Sequence, residues 1–230
     1  MRIIKILGIA LVFTTSISTI NCQELKTKLD SAAYVMGSQM GEYYFLNQIE
    51  INIDALVAGL RDGYTANRLK VQEPEKSEVM KAFEEYMQQK QQEKTDRDSR
   101  FNKEVAKSIL EQNRQNKDIK ETSSGLQYQV ITEGKGKKPV ASDKVKVHYV
   151  GTLFNGTVFD SSRSRNAPAV FGLTQVIPGW TEGLQLMTEG STYKFWIPSE
   201  LGYGNRAVGN IPSGSLLIFE VELIEINPAE

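Results

Sequence analysis

Thirteen consecutive residues, Gln88 to Arg100, carry no apolar side chain. They lie inside a stretch that otherwise reads as helix. Pro74 stands where a helix can begin, and Glu75 and Glu78 suit its positive end. Val79, Met80, Phe83, Tyr86 and Met87 form an apolar stripe that fades at Gln88, and Phe101, Val105 and Ile109 resume it weakly. A helix polar on every face is either a solvated bridge between two bodies or not a stable helix. Unbroken from Glu75 to Asn116, it spans roughly 60 Å at about 1.5 Å per residue. The alternative is two helices with a frayed join near Asp96 to Ser99. Either way the stretch divides the chain, and the two sides follow different rules.

On the amino-terminal side the period is helical. Leu29, Ala32, Ala33, Met36 and Met40 recur at helix spacing, as do Leu56, Val57, Leu60 and Tyr64, with Asp54 as the expected N-cap of the second segment. Ahead of both, Arg2 and Lys5 supply positive charge, Ile3 to Phe13 is almost wholly apolar, and small polar residues follow. That order is a secretory signal, and the run is shorter than the roughly 20 residues needed to span a bilayer. Residues 1–21 are therefore expected to be removed on export. The only cysteine, Cys22, follows at once and cannot form an internal disulfide. Its position fits the lipid-modified first residue of a bacterial lipoprotein, a membrane anchor. Asn21 just before it fits an incidental cysteine instead.

From Ser123 onward the grammar is that of strands. In KVKVHYV, Val145, Val147 and Tyr149 share one face while Lys146 and His148 share the other. In SLLIFEVELIEI, Leu217, Phe219, Val221 and Leu223 oppose Glu220 and Glu222. Between these runs PGWTEGLQLM reads as one short helix, with Trp180, Leu184 and Met187 on one face. The fold class is α+β: an all-helical segment, then an antiparallel sheet with a single helix on it, joined near Asp118 to Ser124. A net charge of −1, with basic and acidic residues interspersed, gives no case for nucleic acid. No nucleophile–base pair, metal spacing or phosphate loop is present, so neither cofactor nor metal is expected. A lone His148 is a poor ligand set and is read as solvated.

The motifs SGLQYQV, VHYVGTLFNGTVFDSS, QVIPGWTEGLQLM, IPSELGYG and IPSGSLLIFEVELIEI resemble, in order and spacing, the FKBP-type peptidyl-prolyl cis–trans isomerases. The likeness covers about 123–226. The helical part, with NKEVAKSILEQN leading into SGLQYQV, is similar to the macrophage infectivity potentiator and FkpA-like bacterial branch. The resemblance implies a helical dimerisation domain at 22–118, a prolyl isomerase domain at 119–230, and a homodimer with intertwined amino-terminal helices. It implies export to the periplasm or outer membrane of a Gram-negative bacterium. The expected clients are proline-containing unfolded or partly folded polypeptides, and FK506- or rapamycin-type macrolides are expected ligands.

Residue by residue, the resemblance places Tyr149, Phe159, Val176, Ile177, Trp180, Tyr203 and Phe219 in a proline pocket, with Trp180 as its floor and Phe171 closing the wall. The Ile177 backbone N–H and the Tyr203 hydroxyl are the expected donors to substrate carbonyls. Asp160 is expected at the rim with Arg165 and Tyr149 as partners, and Ile211 at the entrance. Ala169 stands where eukaryotic members often have a large aromatic residue, and the loop from Tyr203 to Pro212 lacks the histidine of some members. Both departures bear on inhibitor affinity and sequence preference rather than on the reaction. A different class of function also fits the helical half: a holdase chaperone, or a surface accessory lipoprotein, in which isomerisation is incidental.

Overall fold

A computed structural model describes residues 24–66 and 69–229; Cys22 and the expected signal, 1–21, lie outside the described residues. Those residues fall into two compact units, 24–46 and 47–229.

The first unit is helix α1, Lys28–Leu46. Its start is closed by a capping box. The Asp30 N–H donates to Thr27 Oγ1 at 3.0 Å, and the Thr27 N–H donates back to Asp30 Oδ2 at 2.8 Å. None of its residues is buried, and Leu29, Met36, Tyr34 and Phe45 are all mostly exposed.

The second unit opens with α2, Ile53–Tyr64, and α3, Glu75–Arg114. The N-cap of α2 is Asn52, not Asp54: the Asn52 Oδ1 accepts from the Ala55 N–H at 3.0 Å. An Asn side chain can do this as well as Asp, and Asp54 then sits in the first turn, where its charge suits the helix dipole. Helix α3 is continuous over 40 residues, so the frayed join near Asp96 to Ser99 does not occur. Its contact face matches the expected stripe only in part, at Ile109. Ser99, Asn102 and Ala106 are the buried residues, with Ile109 and Leu110 partly buried after them, whereas Phe101 is 62% exposed, with its ring edge-on to Phe154. The stripe begins polar because the helix first meets a polar loop and only then the sheet.

Seven antiparallel strands follow: β1 (Ile119–Glu121), β2 (Gln127–Thr132), β3 (Lys144–Thr152), β4 (Val158–Ser161), β5 (Ala169–Gly172), β6 (Thr192–Ile197) and β7 (Leu217–Ile226). The order is β1-β2-β6-β7-β3-β4, with β5 beside β3. Strand β1 comes earlier than the alternating pattern from Ser123; at three residues it is too short to show a period. Both β4 and β5 lie on one edge of β3, β5 against Lys144–Val147 and β4 against Val150–Thr152. The expected alternation holds: Val145, Val147, Tyr149 and Gly151 of β3 are buried, as are Leu217, Phe219, Val221 and Leu223 of β7.

Helix α4, Pro178–Leu186, covers that face. Pro178 at its first position has no N–H to leave unpaired. Leu184 and Trp180 point into the core, and Met187, fully buried, stands just past the helix end. The other face of the sheet takes the end of α3, where Ala106, Trp196 and Leu216 form a second apolar cluster. Arg114 fixes this end by two bonds to Glu121, at 2.8 and 3.0 Å, and buried Gln127 donates to the Leu110 carbonyl at 2.9 Å.

Candidate active site

Five aromatic rings from four strands and α4 converge at one end of the core. Tyr149 comes from β3, Phe159 from β4, Phe171 from β5, Phe219 from β7 and Trp180 from the first turn of α4. The Trp180 ring stands nearly perpendicular to Tyr149, Phe171 and Phe219, with centroids 5.1, 5.4 and 5.2 Å away. Phe159 meets Phe219 edge-on at 5.4 Å. Such edge-to-face pairs add to the area each ring buries and fix the rings' directions. What lets them meet is an absent side chain. Gly151 pairs with Phe219 on one side and Asp160 on the other, and a Cβ there would lie 2.7 Å from atoms of both Phe159 and Phe219.

The rings do not fill the space they enclose. They border a cavity of about 790 Å³. Val176 and Ile177 line it from the approach to α4, and Tyr203 and Ile211 from the loop before β7. The Ile177 N–H and the Tyr203 hydroxyl form no hydrogen bond among the described residues. Nor does the Trp180 indole N–H, although the residue is only 5% exposed. A buried donor left unpaired costs about 1–3 kcal/mol, so unpaired donors gathered at a cavity mark a place where a ligand acceptor would be stabilising.

One polar group sits at the rim. The Tyr149 hydroxyl donates to Asp160 Oδ2 at 2.5 Å, and Arg165 donates to Asp160 Oδ1 at 2.6 Å and to the Tyr149 hydroxyl at 2.9 Å. Arg165 is thus tied to the rim without lining the cavity. Partial burial pushes the Asp160 carboxyl up, but the hydrogen bonds from Arg165 and Tyr149 and the guanidinium charge outweigh it, so the group ionises below the usual aspartate range. Burial and the neighbouring Asp160 hold the Tyr149 hydroxyl above the ordinary tyrosine value. The carboxylate accepts hydrogen bonds here and holds no proton to give.

Two signs follow from these shifts. The depressed carboxyl stabilises the fold fully above the ordinary aspartate value of about 3.9, and that contribution is lost as pH falls from there through the folded value. The raised phenol's contribution is complete below about 10 and is lost as pH rises through its folded value. Turnover at this cavity should therefore stay level between about pH 6 and pH 9. A bell-shaped kcat/KM profile centred in that range would show a proton-transfer step that this cluster does not provide.

Every residue expected for the pocket except Arg165 lines this one cavity. His148 differs from expectation. It is half-buried, with Nδ1 3.1 Å from the Ser162 Oγ, because β4 and the turn after it cover that end of β3. Gln175, Arg206, Val208 and Asn210 also line the cavity and were not foreseen. They lie in connecting segments without a period, and only nearness in sequence could have pointed to them: Gln175 opens the motif QVIPGWTEGLQLM beside Val176, and Arg206 and Asn210 lie near Tyr203 and Ile211. Among the described residues no three His, Cys, Asp or Glu side chains are grouped to hold a metal ion.

Comparison with known proteins agrees with this geometry. Residues 135–224 match the family described as FKBP-type peptidyl-prolyl cis-trans isomerase, and residues 29–130 match the domain amino-terminal to it. The chain is 41% identical to the FKBP-type peptidyl-prolyl cis-trans isomerase FkpA of Aeromonas hydrophila, over 88% of this chain and 78% of that one. It is 36% identical to the outer membrane protein MIP of Legionella longbeachae, over 100% and 99% of the two chains. The crystal structure of FkpA from Escherichia coli superposes with a TM-score of 0.73 at 37% identity, covering 90% of this chain and all of that one.

Proposed function

Because the chain belongs to the FKBP-type peptidyl-prolyl cis–trans isomerases, we propose that the aromatic cup around Trp180 is where it rotates X–Pro bonds, and that its clients are exported polypeptides. The observation that carries this reading is the unfilled cavity walled by Tyr149, Phe159, Phe171, Trp180 and Phe219, with two unpaired donors beside it.

The chemistry suits such a wall. Cis and trans X–Pro amides differ by only about 0.5–1 kcal/mol, but a barrier of about 18–20 kcal/mol separates them because rotation breaks amide resonance. The planar amide is strongly dipolar and the twisted one is less so. Enclosure by apolar rings disfavours the planar form relative to the twisted one, and a held proline ring lets the preceding carbonyl swing. The Ile177 N–H and Tyr203 hydroxyl would keep the flanking backbone in place. Each 1.4 kcal/mol or so removed from the barrier is tenfold in rate, so modest effects of shape and dryness make a useful catalyst. The rim carboxylate would orient Tyr149 and bind the substrate chain without exchanging protons.

The helical half supports a second activity. Leu29, Met36, Leu60 and Tyr64 on α1 and α2 are exposed apolar side chains, and large exposed apolar faces mark interaction surfaces. A homodimer through these helices, export to the cell envelope and macrolide binding in the cup belong to the same reading, as does a Cys22 lipid anchor. Two cups on one dimer would hold a client at two points and raise its effective concentration. If isomerisation were incidental to holding, aggregation suppression would survive loss of the cup.

The full chain is tested with a protease-coupled assay on a short proline peptide, alongside suppression of aggregation of an unfolded client. Tyr203→Phe is expected to lower kcat/KM by about two- to tenfold, the scale of one hydrogen bond, while leaving aggregation suppression intact. An unchanged kcat/KM would remove Tyr203 from the site.

A further inference from the structure

We propose that Asn102, on the long helix α3, is a positioning residue for the loop that closes one side of the cup. The loop runs from Tyr203 to Leu216, and its tip supplies Val208, Asn210 and Ile211 to the cavity. Val208 and Ile211 exchange both backbone bonds at 3.0 Å, and at the loop's base the Gly214 N–H donates to the Gly204 carbonyl at 2.9 Å. Nothing in those bonds fixes where the loop as a whole sits.

Helix α3 does. The Asn102 side-chain amide donates to the Ser213 carbonyl at 2.8 Å, and the Ser213 hydroxyl donates to the Thr95 carbonyl at 2.7 Å. Ser99 Oγ donates to Asn205 Oδ1 at 3.1 Å, near the loop's other end. Gly214 takes a left-handed φ of 70° and comes so close that a Cβ would lie 2.7 Å from the Ser99 carbonyl oxygen. Asn102, Ser99 and Ser213 are 6%, 7% and 1% exposed.

The three buried polar side chains are each hydrogen-bonded, so the contact adds only modest net stability, and an apolar seam of Ala106, Trp196 and Leu216 already attaches the helix a turn later. What the polar contact adds is direction. A hydrogen bond fixes distance and angle where an apolar contact fixes neither, and Ser213 is two residues from Ile211 at the cup entrance. The helix is thereby part of the catalytic body as well as an arm. This inference rests on the cup being the X–Pro site.

The test uses the full-length protein. Asn102→Leu keeps the volume and removes the donor. It is expected to raise KM for a proline peptide about fivefold, the scale of one lost hydrogen bond, with kcat within about twofold. Amide hydrogen exchange in 204–214 should rise by about tenfold or more while β7 stays protected. Leu110→Ala is the second variant: it weakens the same helix on the sheet side, away from the loop. The proposal is overturned if Asn102→Leu leaves both KM and loop exchange unchanged. It is also overturned if Leu110→Ala, at an equal loss of Tm, moves both as far. Should Tyr203→Phe and Trp180→Ala keep wild-type rates, the cup assignment fails instead. The exchange measurement reads the loop independently of catalysis.

Discussion

Trp180→Ala is expected to lower kcat/KM by about a hundredfold and to destabilise the sheet domain by about 3–5 kcal/mol. The two losses have one cause. The indole is the ring that Tyr149, Phe171 and Phe219 all meet edge-on, at centroid distances of 5.1 to 5.4 Å. Removing it merges the cavity with the core beneath. Water can then reach the amide, and the proline ring loses its floor. Urea unfolding gives the first quantity and the peptide assay the second. Trp180→Phe separates them: a smaller ring restores much of the packing, so stability should recover more than activity. Recovery of activity ahead of stability would mean that the indole is core and not floor.

Gly151→Ala is the second large effect, and it runs the other way in the balance between fold and function. The added methyl would meet Phe159 and Phe219 atoms at 2.7 Å, well inside contact distance. Backbone shifts of β3 are resisted by pairing on both sides, with Asp160 and with Phe219. The rings must therefore move, and the open direction is the cavity. Over-packing of this kind costs about 1–3 kcal/mol, so the protein should still fold. Yet kcat/KM should fall by about tenfold or more, because two walls of the cup are displaced. A variant with wild-type turnover would show that Phe159 and Phe219 can be displaced without consequence, and the cup would lose two of its walls as functional elements.

The residues that could be read in advance are those whose side chains repeat. Tyr149 and Phe219 follow the period-two pattern of β3 and β7, and Trp180 follows the helical spacing of α4, so sheet, helix and three of the rings were visible together. Phe159, Phe171 and Tyr203 lie on short strands or in a loop, and only the ordered motifs pointed to them. Gly151 and Gly214 matter through side chains they lack, which no pattern of hydrophobicity records. Asn102 and Ser99 carried no sign of their contacts, because their partners lie more than 100 residues further on. A hydrogen bond across that separation has no local signature. The same applies to Asn52, which took the cap that Asp54 could have filled; both residues were competent, and backbone geometry decided.

The 40-residue span of α3 carries a mechanical consequence. Its seat on the loop begins at Thr95, whose carbonyl accepts from Ser213, so the part before that point measures about 30 Å at 1.5 Å per residue. Over such a lever a tilt of about five degrees at the seat becomes a swing of about 3 Å at the tip, from simple helix geometry. Sub-ångström adjustments beside the loop are thus magnified at the far end. Conversely, a load applied there arrives as torque on Asn102 and Ser213.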